Sequence, residues 1–251
     1  MTLLCICLSV ILAGCGMNGK GKSVNQAVNI EASTFPIKDA KPNKSPLLDT
    51  KHKLELPLKF PVSGFAKDII PKVPDSRLPG APRVYRGDKA EHEGMDFYTG
   101  KCGLPVLAPA SGWVIDFNDQ ERFPSTEIRD SILGLTSKIG NTPEPILSNL
   151  QGISIVIYHG LDGKGNHCYS RMSHFERFSK EWKLGDYIER GETVGFVGAS
   201  GTSAQFKTAG EKETGCHLHF EWHRISHGED VALALDEKDN DLKRKLYYEL
   251  F

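Results

Sequence analysis

At 251 residues the chain is long enough for one sizeable domain with appendages, or at most two domains. A composition of 39% hydrophobic and 25% charged residues is ordinary for a soluble globular protein. Lys and Arg (31) nearly balance Asp and Glu (32), for a formal charge of -1 with no long basic run, which argues against a nucleic-acid partner.

The first apolar segment, Leu3 to Ala13, is too short to span a bilayer and ends in Leu12-Ala13-Gly14-Cys15. Small residues before a cysteine resemble a bacterial lipobox. On that reading residues 1–14 are a lipoprotein signal peptide, and Cys15 is lipidated and anchors the chain to a membrane. The other reading is an ordinary secretory signal with a small-residue cleavage site. The lipoprotein reading places the protein in the cell envelope, at the outer membrane facing the periplasm in a Gram-negative cell. Cys5 and Cys7 would leave with the signal, so Cys102, Cys168 and Cys216 remain. One disulfide and one free thiol are possible among them, with the pairing open.

Residues 15–56 carry Lys, Asn, Ser and Pro without periodicity and read as a flexible tether, with order beginning near Leu58. From there to Arg86, prolines at 61, 71, 74, 79 and 82 predict irregular chain or short strands. After Met95 the pattern becomes β: Pro105–Pro109, Gly112–Phe117 and Ile153–Tyr158 are short apolar runs between turns, followed by Lys183–Ile188 and Thr193–Gly198. The fold class is mainly β, an antiparallel sandwich or barrel-like domain over 57–225. An insertion at 118–152 interrupts it. Ser125 followed by Glu127, Ile128, Ile132 and Leu135 predicts a capped helix there, closed at Gly140 or Pro143. The tail, 226–251, carries leucines among many charges and reads as helical.

Thr214–Trp222 carries the strongest chemical signal. At the two-residue period of a strand, His217, His219 and Glu221 share one face, and Leu218, Phe220 and Trp222 the other. An apolar-backed strand lined with imidazoles presents them. Cys216 should point away from them and is not read as a ligand. Two histidines make an incomplete tetrahedral zinc site, so further ligands must come from elsewhere. His92 and Asp96 in His92-Glu93-Gly94-Met95-Asp96 are candidates. With His219 they would supply two nitrogens and one oxygen and leave a position open for water. His217 would sit beside that water. Glu221 is either a hydrogen-bond partner of a ligand histidine or an exposed strand carboxylate. His52, in the tether, His159, in a turn, and His167, His223 and His227 receive no metal role.

These residues stand among ordered blocks. Gly103–Pro109, Ser111–Val114, Val156–Gly160, Lys183–Glu192 and Gly195–Ser203 lie between His92–Asp96 and His217–Glu221. Together they resemble the lysostaphin-type, or LytM-type, zinc metallopeptidases, over about Phe60 to Trp222. The resemblance implies Zn2+ held by His92, Asp96 and His219, with His217 as an active-site residue. It also implies hydrolysis of peptide cross-links in bacterial peptidoglycan, with a divisome component or another wall hydrolase as a possible partner. A catalytically weakened module that binds the wall or activates another hydrolase is the alternative. The family carries a further histidine in a Tyr-x-His-Leu segment. Met172-Ser173-His174-Phe175 supplies it as His174 at a suitable distance from Gly185, whereas Tyr169-Ser170-Arg171-Met172 keeps the tyrosine but puts Arg171 there. His174 is the preferred assignment, because an arginine cannot act as a base. The 118–152 insertion and Gln205–Glu213 depart from the family pattern and either wall the groove or elaborate the surface.

Overall fold

The structure is a computed structural model, and it describes residues 52–251. The expected signal segment, Cys15 and the tether as far as residue 51 lie outside the described residues. Order begins earlier than Leu58. His52 packs edge-on to Trp113 with ring centroids 4.5 Å apart, and Leu54 N–H donates to Leu161 O at 3.0 Å.

The strands in chain order are β1 (Met95–Tyr98), β2 (Pro105–Leu107), β3 (Gly112–Asn118), β4 (Ser154–Leu161) and β5 (His167–Ser173). They continue with β6 (Phe175–Phe178), β7 (Tyr187–Ile188), β8 (Thr193–Val197), β9 (His217–Ser226) and β10 (Glu229–Ala232). The larger sheet runs β1-β9-β5-β4-β3-β7, with β10 continuing along the β1 edge of β9; the smaller runs β2-β8-β6. All the strand pairs are antiparallel, and both sheets are open, so the architecture is two packed sheets and not a closed barrel.

β9 organises the larger sheet. Leu218, Phe220 and Trp222 on one face are 0%, 0% and 2% exposed, and each contributes about 1.5–3 kcal/mol by burial. Phe220 meets Phe251 at 5.5 Å, and Phe251 meets Phe60 at 5.1 Å, which ties the last residue to the segment that leads into the proline-rich chain. β9 runs beyond Trp222 to Ser226. There His227 and Gly228, at φ 52° and 84°, form a two-residue turn into β10, with Ser226 opposite Glu229. The helix of the tail, α4 (Asn240–Leu250), therefore occupies only its last part. Asp239 caps α4 by accepting from the N–H groups of Asp241 and Leu242. Lys243 Nζ donates to Pro79 O at 2.6 Å and Arg244 Nε to Val73 O at 3.0 Å, so α4 holds the proline-rich segment in place.

The insertion contains two helices where one was expected. α1 (Thr126–Ile139) begins at the Ser125 cap, whose hydroxyl accepts from Ile128 N–H, and ends at Gly140 with φ 77°. α2 (Glu144–Gln151) begins after Pro143 and buries Leu150 and Gln151. The short α3 (Ala209–Glu213) precedes β9. Among the described residues no helix is long and apolar enough to cross a membrane. Cys102 and Cys216 form a disulfide joining the loop after β1 to the start of β9, and Cys168 is a buried free thiol.

Candidate metal centre

β1 and the loop before it lie against β9, with Asp96 opposite His219 and Tyr98 opposite His217. Gly94 permits this approach. A Cβ there would stand 2.4 Å from Phe220 O and 2.8 Å from Glu221 Cγ. The result is a buried trio in which His92 Nε2, Asp96 Oδ1 and His219 Nδ1 stand 2.9, 2.9 and 3.0 Å apart pairwise.

Hydrogen bonds on the far side of each ring fix what those atoms are. His92 Nδ1 lies 3.1 Å from Leu78 O and donates to it, which leaves Nε2 as a lone pair. His219 Nε2 lies 2.9 Å from Glu221 Oε1 and donates to it, which leaves Nδ1 as a lone pair. Three acceptors therefore converge with no donor among them, an arrangement that only a proton or a cation can hold. The ionisation of the trio reflects this. Burial disfavours the His219 imidazolium, but hydrogen bonds to Asp96 and Glu221 outweigh it and raise the pKa to about 9. Burial pushes the Asp96 carboxyl up, yet the charges of His92 and His217 and the bonds from His219 and His92 hold it well below the carboxylate range. Burial lowers the His92 imidazole against the pull of Asp96. A metal at Nδ1 of His219 takes the place of a proton there. Ligand atoms about 2.1 Å from a tetrahedral zinc stand roughly 3.4 Å apart, so the trio would have to spread by only about half an ångström. Two neutral imidazoles and one carboxylate, closed on the protein side, fit that metal.

His217 and His174 border the trio without joining it. His217 Nδ1 donates to Gly215 O at 2.8 Å, and its Nε2 is 3.8 Å from Asp96 Oδ1. His174 follows β5 at φ 66°, an unusual backbone for a residue with a side chain, and its N–H donates to Gln151 O at 3.0 Å. Its Nδ1 donates to Ser200 O at 2.8 Å, and its ring is 4.6 Å from that of His217. Burial lowers both imidazoles, and His217 and His219 lower His174 further, so the inward-facing nitrogens are unprotonated at neutral pH. Arg171 stands on β5 opposite Glu221, with Nε 4.0 Å from Glu221 Oε2, and does not line the cleft.

Glu221 is 1% exposed and bridges His219, His223 and Gln151, so of its two readings the structure has the hydrogen-bond partner and not the exposed carboxylate. His159 is also not in a turn. It lies on β4, fully buried, 2.8 Å from Ser170 Oγ and stacked on Trp222, and burial lowers its pKa to about 4. His52, His167, His223 and His227 stand outside the trio.

The trio opens into a cleft of about 950 Å³. One wall is α1, through Arg129, Leu133 and Ser137; another is the proline-rich segment, through Arg77, Arg83 and Arg86. The two walls meet where Thr142 Oγ1 donates to Arg86 O at 3.2 Å, and where a Cβ on Gly87 would stand 2.6 Å from Gly140 C. The 118–152 insertion is thus a wall of the cleft, whereas of the second departure the cleft reaches no further than the preceding Gly201–Ser203. The cleft-lining arginines and Tyr98 were not anticipated. Arg77, Arg83 and Arg86 carry no periodicity, and only the fold of the proline-rich chain brings them to the site, whereas Arg129 comes from α1 and Tyr98 from β1.

Among solved structures, a variant of the catalytic domain of the prophage-encoded M23 protein EnpA from Enterococcus faecalis is 21% identical, with a TM-score of 0.34; the match covers 57% of this chain and 75% of that one. A zinc-containing peptidase from Vibrio cholerae is 20% identical with a TM-score of 0.38, covering 74% of this chain and 38% of that one. A putative glycyl-glycine endopeptidase LytM from Ruminococcus gnavus is 20% identical with a TM-score of 0.35, covering 63% and 47%. The chain thus spans less than half of the length of the latter two. No curated protein matches it. The family model for peptidase family M23 matches residues 90–234, more than half of the chain and the whole span from His92 to β10. The chain belongs to peptidase family M23.

Proposed function

We propose that the protein is a zinc metalloendopeptidase that hydrolyses peptide cross-links of bacterial peptidoglycan, held in the cell envelope by a lipid on Cys15. The observation that carries this reading is the convergence of His92 Nε2, Asp96 Oδ1 and His219 Nδ1 with both outer ring nitrogens already committed. Zinc bound there would supply Lewis acidity, making water nucleophilic near neutral pH and polarising the scissile carbonyl. The chain's own residues do the rest. His217 and His174 each donate through Nδ1 to a backbone carbonyl, so each turns an unprotonated Nε2 toward the cleft. One can accept the proton of the attacking water, and once protonated it can donate to the developing oxyanion or the leaving amine. Glu221 holds the His219 ring in its ligating tautomer.

The decisive experiment measures bound metal and turnover together, on purified peptidoglycan. About one zinc per chain with release of new amino termini is the expected result. A protein that holds zinc and never cleaves would overturn the enzyme reading in favour of a wall-binding or hydrolase-activating module. The anchor has its own test. Cys15→Ser should release a protein that otherwise fractionates with membranes, and a variant still bound after a high-salt wash would refute lipid anchoring.

A further inference from the structure

Four arginines line the cleft, and two of them have their charge met inside the protein. Arg86 Nη2 donates to Glu93 Oε1 at 3.0 Å, and Arg129 Nη1 to Asp130 Oδ1 at 3.2 Å. The other two differ. The Arg77 side chain makes no hydrogen bond and has no carboxylate within 4.0 Å among the described residues; its guanidinium lies 3.3 Å over the Tyr98 ring. Arg83 has 13% of its side chain exposed, and among the described residues its only carboxylate neighbour is Asp96, at 3.9 Å, beyond hydrogen-bond range. The Asp96 charge is in turn committed to the trio.

Both guanidiniums are fixed with respect to that trio. Arg83 Nη1 donates to Ser76 O at 2.9 Å, one residue from Arg77. The chain between them receives the His92 Nδ1 proton at Leu78 O, and Gly80 and Ala81 exchange backbone bonds with His92 at 2.8 and 2.9 Å. Tyr98, beneath Arg77, stacks on His217 at 4.5 Å with ring planes 2° apart. The segment that orients a metal-ligand candidate thus also carries two cations with no anion of their own among the described residues. Among the described residues the half-buried Arg77 guanidinium has no acceptor and that of Arg83 has only backbone carbonyls, so an incoming anion would add charge-assisted hydrogen bonds to both.

We propose that Arg77 and Arg83 form a carboxylate-binding subsite beside the metal trio, so that favoured substrates carry a free carboxylate close to the bond that is cut. The choice of carboxylate over other anions rests on the peptidase reading, because carboxylates are the ordinary anions of a peptide. They have two sources, the terminal α-carboxylate and a side-chain carboxylate, and both present the planar pair of oxygens that a guanidinium fork matches.

The test uses the full chain loaded with zinc and four synthetic cross-link peptides of one sequence: the free acid, the C-terminal amide, the side-chain amide and the double amide. Binding is read by fluorescence anisotropy and hydrolysis by kcat/KM. The free acid should exceed the double amide by about tenfold or more in both. The single amide that loses most identifies the source of the carboxylate. Arg77→Gln should bring the ratio toward one with zinc content unchanged. It removes a side chain that makes no hydrogen bond among the described residues, so it is the informative variant even if Arg83→Gln, which loses the bond to Ser76, folds poorly. Equal binding of acid and double amide by the wild type overturns the proposal, as does a preference unchanged in Arg77→Gln. A wild type that prefers the acid in binding but cleaves none of the four keeps the subsite and refutes the peptidase reading instead.

Discussion

The two ends of β9 carry similar residues and do opposite things with them. At the start, His217 and His219 face Asp96; toward the other end, His223 faces Glu221 and Asp230, with Tyr169 alongside. In the far cluster His223 places its ring nitrogens 3.0 Å from Asp230 and 2.8 Å from Glu221, and Tyr169 donates its hydroxyl to Asp230. Each ring nitrogen there faces the carboxylate of a different residue. In the near cluster each ring spends one nitrogen on an outer acceptor and turns the other inward, so lone pairs meet. Histidines at strand spacing next to carboxylates are common to both ends; the convergence of two ring nitrogens on one carboxylate oxygen separates the candidate metal centre from a hydrogen-bonded surface cluster.

The contrast can be broken most directly by removing ligands. Asp96→Ala or His219→Ala should drop bound zinc from about one per chain to near zero, as measured by elemental analysis after dialysis. Full occupancy in both variants would mean that the metal sits elsewhere. Next come the bordering imidazoles: His174→Ala and His217→Ala should each cost about a hundredfold in peptidoglycan hydrolysis with zinc retained, and Arg171→Ala far less. A large loss for Arg171→Ala beside an active His174→Ala would reverse the assignment. Glu221→Gln probes the link between the clusters. It keeps the side-chain volume but weakens the support of His219, and zinc affinity by chelator competition should fall about 10- to 100-fold. An unchanged affinity would show that His219 needs no such support. The smallest effect belongs to the far end, where His223→Gln should leave zinc content unchanged and alter unfolding free energy by about 1 kcal/mol. Loss of zinc in that variant would erase the distinction between the two ends.

Much of this was legible in the chain. Alternation of Leu218, Phe220 and Trp222 with His217, His219 and Glu221 follows from strand geometry alone, and Ser125 and Gly140 bracket α1 through local capping chemistry. What escaped is non-local. β10 hides behind Glu229 and Asp230, and its signal is the His227-Gly228 turn, read only once β9 is known to reach Ser226. His159 looked like a turn residue because Gly160 follows it. A register shift between Tyr158 and Gly160 lets β4 continue and buries the ring. Arg77 and Arg83 belong to chain with no period at all, and α4 and His92 decide where that chain lies.

The Cys102–Cys216 bond has a consequence for how the chain would respond to proteolysis. Its sulfurs sit just after β1 and just before His217, on residues 114 positions apart in the chain. Everything from β2 to α3, including the exposed surface of α1 and α2, lies inside that ring. A peptide bond cut anywhere in the ring leaves the strand bearing Asp96 and the strand bearing His219 in one covalent piece. Nicking of the insertion would then reshape a wall of the cleft without parting the trio, and the two fragments would separate only under a reductant.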